Sequence, residues 1–224
     1  MSAVVNEICD LLQAHANRDK VVSLASYILK LWGASAQRKD LLAASARLGA
    51  ARATMRLFDD AVALKTLLAY GLGRQDGPLW GSLGVASSVF NLAYLQAEKV
   101  VWLMDTGVLV VSKEFDYNAR TAHKLFWSLS AFVGLVRSIR ALHASALSLQ
   151  SAQRTKCAGA RYRQACFVTS KAFLDVIHSV SWLPQGWLWG GRLSAEKASS
   201  VAIGSAVLAL VIHYHGKRLA SVKK

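Results

Sequence analysis

Residues Arg38 to Val62 read RKDLLAASARLGAARATMRLFDDAV. The apolar residues Leu41, Ala44, Leu48, Ala51, Met55, Phe58 and Val62 recur in steps of three and four, which gathers them into one narrow stripe on a helix. Arg38, Arg52 and Arg56 follow one border of that stripe, Arg47 follows the other, and Lys39 lies further round. Cations on both borders suit an interfacial membrane helix. Long basic side chains reach lipid phosphate while Leu41, Leu48, Met55 and Phe58 enter the acyl boundary. An ordinary core-facing helix would use the same stripe for packing and leave the basic face to water. The rest of the chain favours the membrane.

The 224-residue chain is 54% hydrophobic yet carries a formal net charge of +14, and its mean hydropathy is +0.30. Only 2 prolines and long runs of Ala, Leu, Ser, Lys and Arg predict an all-α protein. So basic a chain favours phosphate-bearing partners, nucleic acid or an anionic lipid surface. The high hydrophobicity selects lipid over nucleic acid. Cys9, Cys157 and Cys166 lack zinc-type or redox spacing and read as reduced thiols. The acidic residues Glu7 and Asp10 argue against a secretory signal peptide, and the chain does not end in a Ser-Lys-Leu type of address.

Outward from the central stretch, Val4, Val5, Ile8, Leu11 and Leu12 form a first amphipathic helix, which Asn17-Arg18-Asp19-Lys20 is expected to interrupt. Val21, Leu24, Ile28, Leu31 and Trp32 mark a second, with Gly33 as its stop. Tyr70-Gly71-Leu72-Gly73 with Asp76-Gly77-Pro78 predicts a turn. Gly77 to Ala97 holds no charge but is diluted by Ser82, Ser87, Ser88, Asn91 and Gln96, as in a buried or interfacial helix. From Tyr117 to Leu174 there is no acidic residue, whereas Arg120, Lys124, Arg137, Arg140, Arg154, Lys156, Arg161, Arg163 and Lys171 all fall there. That run predicts contact with an anionic surface. Within it, Leu125 to Val136 would span a bilayer only if Arg137 and Arg140 snorkelled. The uncharged block Ala198 to Tyr214 is the better span: at about 1.5 Å per residue it rises roughly 25 Å. Trp182, Trp187 and Trp189 precede it around Pro184 and Gly186, as aromatic side chains do at headgroup depth.

Catalytic constellations are lacking in the sequence. Gly71-x-Gly73-x-x-x-Gly77 has the wrong spacing for a phosphate loop and follows a helix. Asp59 and Asp60 point about 100° apart on a helix and cannot share a proton, and Asp60 is expected to pair with Arg56 one turn back. His213 and His215 project to opposite sides. No nucleophile, base and orienter come together, so neither an enzyme, a cofactor nor a metal is expected. Ala198, Ala202 and Ala206 with Gly204 and Ser205 suit close helix packing, so self-association is expected.

Five segments in order resemble the peroxin eleven family of peroxisomal membrane proteins, its gamma (C) branch above all. They are Asn17-Arg18-Asp19-Lys20 with Tyr27, MRLFDDA at 55–61, YGLG at 70–73, NLAYLQAEKVVWLMDTGVL from Asn91, and LPQGWLWGGRLS from Leu183. The resemblance implies one such domain over residues 1–224, in an integral protein of the peroxisomal membrane with amphipathic N-terminal helices and one or two spans. It implies promotion of membrane elongation, proliferation and fission through amphipathic-helix insertion, a role that falls on residues 38–62. Fission machinery, other family members and copies of the chain itself are the partners it implies. A pore or small-solute channel is the alternative. Two spans, one of them at 198–214, would place both termini on the same side, taken as the cytosol from Lys217, Arg218, Lys223 and Lys224.

Overall fold

The computed structural model describes residues 3–150 and 157–221. These residues form α-helices joined by short turns: α1 (Ala3–Gln13), α2 (His15–Ser35), α3 (Lys39–Met55), α4 (Asp59–Tyr70), α5 (Pro78–Asp105), α6 (Lys113–Gln150), α7 (Ala158–Ser181) and α8 (Ala195–Ser221), with a single 3₁₀ turn at Arg74–Asp76. Arg154 and Lys156, expected to face an anionic surface, and Lys223 and Lys224, expected to lie in the cytosol, fall outside the described residues.

Several boundaries differ from the periodicity. Asn17 to Lys20 lies inside α2, and the chain breaks earlier, at the extended residue Ala14. Gly33 is also interior to α2; instead of stopping the helix it lets α3 approach, since a methyl there would stand 3.0 Å from the Leu42 side chain. The helix expected over residues 38–62 is two helices. Arg56 and Phe58 have ψ near zero (2° and 7°), and the Leu57 N–H bonds Thr54 in a tightened turn. No glycine or proline causes this break. Tertiary ion pairs hold it: Arg56 reaches in to Glu98, Asp60 bonds Lys99 at 2.5 Å, and Asp59 faces His15 at 3.1 Å. Asp59 and Asp60 then occupy the first turn of α4, where the helix dipole favours them.

The expected turn after α4 is present. Gly71 and Gly73 take positive φ of 58° and 64°, and a methyl on Gly73 would sit 2.7 Å from the Gly81 Cα atom. Glycine at both positions lets the start of α5 close against this corner.

The helices are arranged in a ring. α5 packs on α6, α6 on α7, α7 on α8, and α8 on α2; α2 carries α3, and α3 and α4 both meet α5. α1 extends along α2, with Glu7 and Asp10 held 3.3 and 3.1 Å from Lys217 of α8. The polarity of the ring is inverted. Its buried residues include Asp19, Glu98, His178 and a set of serines, among them Ser179 at 0% and Ser199 at 1% exposure, beside Leu95, Ala158, Ala198, Ala202 and Ala206. A small apolar cluster of Val176, Val180 and Leu183 is backed by Leu125, Leu135 and Trp189. Phe58, Leu68, Leu72, Leu79 and Phe132 face outward instead. A water-soluble bundle does the reverse; an apolar exterior around a paired polar interior is what lipid as solvent selects.

Helices α6 and α8 are long and apolar enough to cross a membrane, so the fold is that of an all-α membrane protein. The block 198–214 falls within α8. On α6, Arg140 lies over the Trp80 ring at 4.5 Å and Arg137 over Tyr70 at 5.5 Å, so these cations lean on aromatic neighbours from α4 and α5.

Candidate functional site

The site grows from the contact of α3 with α2. Ser26 and Ser45 each donate a hydroxyl to the other's backbone carbonyl, at 3.0 and 2.9 Å, and two turns on Arg52 grips both oxygens of Asp19 at 3.0 and 3.2 Å. Positions in register with Ser45 and Arg52 therefore turn toward α2. Leu41, Leu48 and Met55 are among them, and all three are half-buried. The stripe expected to insert into lipid is thus largely a packing stripe.

Its cations divide in the same way. Arg52 and Arg56 are interior, paired with Asp19 and Glu98, and the Tyr94 hydroxyl donates to Glu98 at 3.2 Å. Asp60 pairs with Lys99 and Gln96 rather than with Arg56. Arg47 is exposed, and Phe58 is 81% exposed at the α3–α4 break. From Phe58 an outward apolar edge continues through Val62, Leu64 and Leu68 of α4 to Leu72 and Leu79, with Lys65 and Arg74 exposed beside it. The sequence carried this signal: Phe58, Val62, Lys65, Leu68 and Leu72 also follow steps of three and four. Its separation from the α3 stripe depended on acids remote in sequence.

The acid-free run from Tyr117 to Leu174 is less one-sided in three dimensions than in sequence. Arg120 binds Asp105 and Asp116, Arg137 lies 4.0 Å from Asp76, and Lys171 pairs with Asp175. Asp105, Asp116 and Asp175 come from just outside the run and Asp76 from the α4–α5 corner, so these cations serve internal pairs. Arg161 and Arg163 remain exposed.

Between the helices lie two adjoining clefts of about 910 and 730 Å³, both partly open to the outside. Charged and aromatic side chains from α2, the α3–α4 break, α5, α6 and α7 line both. Burial alone would raise the Asp19 carboxyl, but the hydrogen bonds and charge of Arg52, with Arg56 and Lys20, outweigh it and hold the group below the usual carboxylate value. Among the described residues no cluster of His, Cys, Asp and Glu has metal-site geometry.

The profile of the family described as Peroxisomal biogenesis factor 11 (PEX11) matches residues 5–211. Two curated proteins are similar over most of their length. Peroxisomal membrane protein 11C of Mus musculus is 27% identical, covering 85% of this chain and 86% of its own. Peroxisomal membrane protein 11C of Homo sapiens is 26% identical, covering 93% of each. No solved structure matches the chain significantly.

Proposed function

Because the chain belongs to the peroxisomal biogenesis factor 11 family, whose role is in peroxisome biogenesis and whose similar members are peroxisomal membrane proteins, we propose that it elongates the peroxisomal membrane by wedging one leaflet with the exposed edge of α4. The observation that carries this reading is the outward edge Phe58, Val62, Leu68 and Leu72, each more than 60% exposed, with the exposed Lys65 among them. Each such side chain contributes about 1.5–3 kcal/mol when buried in lipid, and Arg47, Lys65 and Arg74 add attraction to anionic headgroups. Of the residues first assigned to insertion, Phe58 and Arg47 keep that role. Leu41, Leu48, Met55, Arg52 and Arg56 set the angle at which the edge is presented. Both termini face the cytosol, copies of the chain associate along the membrane, and the elongated membrane is handed to fission machinery.

The test uses the full chain reconstituted into vesicles containing phosphatidylserine. Phe58→Glu with Leu68→Glu is expected to leave the protein folded and abolish tubulation, whereas Leu48→Glu is expected to disturb the α2–α3 contact and lower thermal stability. Undiminished tubulation by the Phe58/Leu68 variant overturns the reading.

A second reading, a path for small solutes through the ring, is favoured by the polar interior. Vesicles holding the protein would then leak small anions without changing shape.

A further inference from the structure

The two partly open clefts share six wall residues: Lys20 of α2, Arg56 of the α3–α4 break, Tyr94 of α5, Trp127 of α6, and Lys171 and Asp175 of α7. These six form the neck where the lobes meet. Around the neck stand the cations Lys20, Arg52, Arg56 and Lys171 against the carboxylates Asp19, Glu98 and Asp175.

Every one of those carboxylates is already engaged. Arg52 occupies both oxygens of Asp19, Arg56 and Tyr94 hold Glu98, and Lys171 and Ser205 hold Asp175. Lys20 is left over. Its nearest carboxylate oxygen, on Asp19, is 3.7 Å away, beyond hydrogen-bond length. Burial lowers its pKa; the charges of Lys171 and Arg52 press in the same direction, while those of Asp19 and Asp175 oppose. The Lys20 side chain is 42% accessible and lines both lobes. Four cations face three carboxylates around the neck, and an anion there would balance the excess charge at Lys20, Arg56 and Lys171.

The size and shape define the anion further. Lobes of about 910 and 730 Å³ hold a whole organic molecule rather than a simple ion. Trp127 and Tyr94 offer flat apolar walls beside the charge, and Ser87, Ser88 and Asn91 line the larger lobe with hydroxyl and amide groups. That lobe also reaches Val62, Ala63 and Thr66 on α4, alongside the apolar edge.

We propose that the neck is a binding site for a phosphate monoester, its phosphoryl oxygens held by Lys20, Arg56 and Lys171 and its organic part lying in the larger lobe. The chemistry is shared by a lipid headgroup such as phosphatidic acid, whose acyl chains would leave along Val62, and by a soluble phosphate ester. The site is independent of whether α4 wedges a leaflet.

The full chain in a neutral detergent is titrated with dihexanoyl phosphatidic acid, glycerol 3-phosphate and, as a control, dihexanoyl phosphatidylcholine, following the unfolding midpoint and tryptophan emission. The expected result is a saturable rise in the midpoint with a phosphate monoester and none with phosphatidylcholine. A response to phosphatidic acid alone identifies a lipid occupant; an equal response to glycerol 3-phosphate identifies a soluble one. Lys20→Gln should weaken binding about tenfold, the cost of one charge-assisted hydrogen bond, while Lys20→Arg and Lys113→Gln, at an exposed position at the start of α6, should retain it. In the unaltered protein, the same ligand should protect Lys20 from acetylation as read by peptide mass spectrometry, a measurement that needs no variant to fold. A midpoint moved no further than by sodium chloride at equal ionic strength, or equal Lys20 acetylation with and without ligand, overturns the site.

Discussion

At the scale of single residues, Asp19 and Arg52 decide which way α3 faces. The pair is almost enclosed, with side chains 8% and 14% exposed, and removing one partner strands the other's charge. Asp19→Ala is expected to destabilise the protein by about 3 kcal/mol, and Asp19→Ala with Arg52→Leu to recover much of that loss, both read from unfolding midpoints in detergent. The pH dependence follows from the sign of the shift. The folded Asp19 carboxyl is lowered, so its contribution is full above the unfolded value of about 3.9 and is lost as pH falls through the lower folded value. The unaltered protein should therefore lose more stability than the double variant as pH falls through that range.

At the scale of elements, the α4–α5 corner holds the exposed edge in place. A methyl on Gly81 would run into the Gly73 carbonyl, whereas one on Gly134 in α6 would meet nothing within 4 Å. Gly81→Ala is expected to cost about 1–3 kcal/mol through overpacking and to open the corner to protease cleavage. Gly134→Ala is expected to gain up to about 1 kcal/mol of helix stability. Equal midpoints and equal cleavage for the two variants would show that the corner is not close-packed. The break between α3 and α4 obeys different rules. It has no helix-breaking residue, and three acid–base contacts to α2 and α5 maintain it.

At the scale of the whole molecule, α8 combines two features: it is long and apolar enough to cross a membrane, and it closes the ring between α7 and α2. Deleting 198–214 would therefore unpack α2 as well as remove an anchor. A cleaner test places charge on its outer face only. Val207 and Val211 are 43% and 37% exposed and lie one turn apart. Val207→Lys with Val211→Lys adds about 2.5–3.5 kcal/mol per lysine to insertion, so the variant should be released by alkaline carbonate from membranes that retain the unaltered chain. Full retention would show that α8 does not cross the bilayer.

Composition, period and flanking residues were enough to read a helical membrane protein, an apolar helix over 198–214, the turn at Tyr70 to Gly73 and, by resemblance, the family. All of these rest on properties local to a stretch of chain: the 3.6-residue period, the length of an uncharged run, the glycines a turn needs. The orientation of Leu41, Leu48, Met55, Arg52 and Arg56 is of another kind. A stripe bordered by arginine reads the same whether lipid or another helix covers it, because the period reports that a face is buried and not by what. Asp19 lies 33 residues before Arg52, and Glu98 lies 42 after Arg56. Only the closing of the ring brings those charges within bonding distance, turns the α3 stripe inward, breaks the helix at Arg56 and leaves Phe58 and the outer side of α4 exposed.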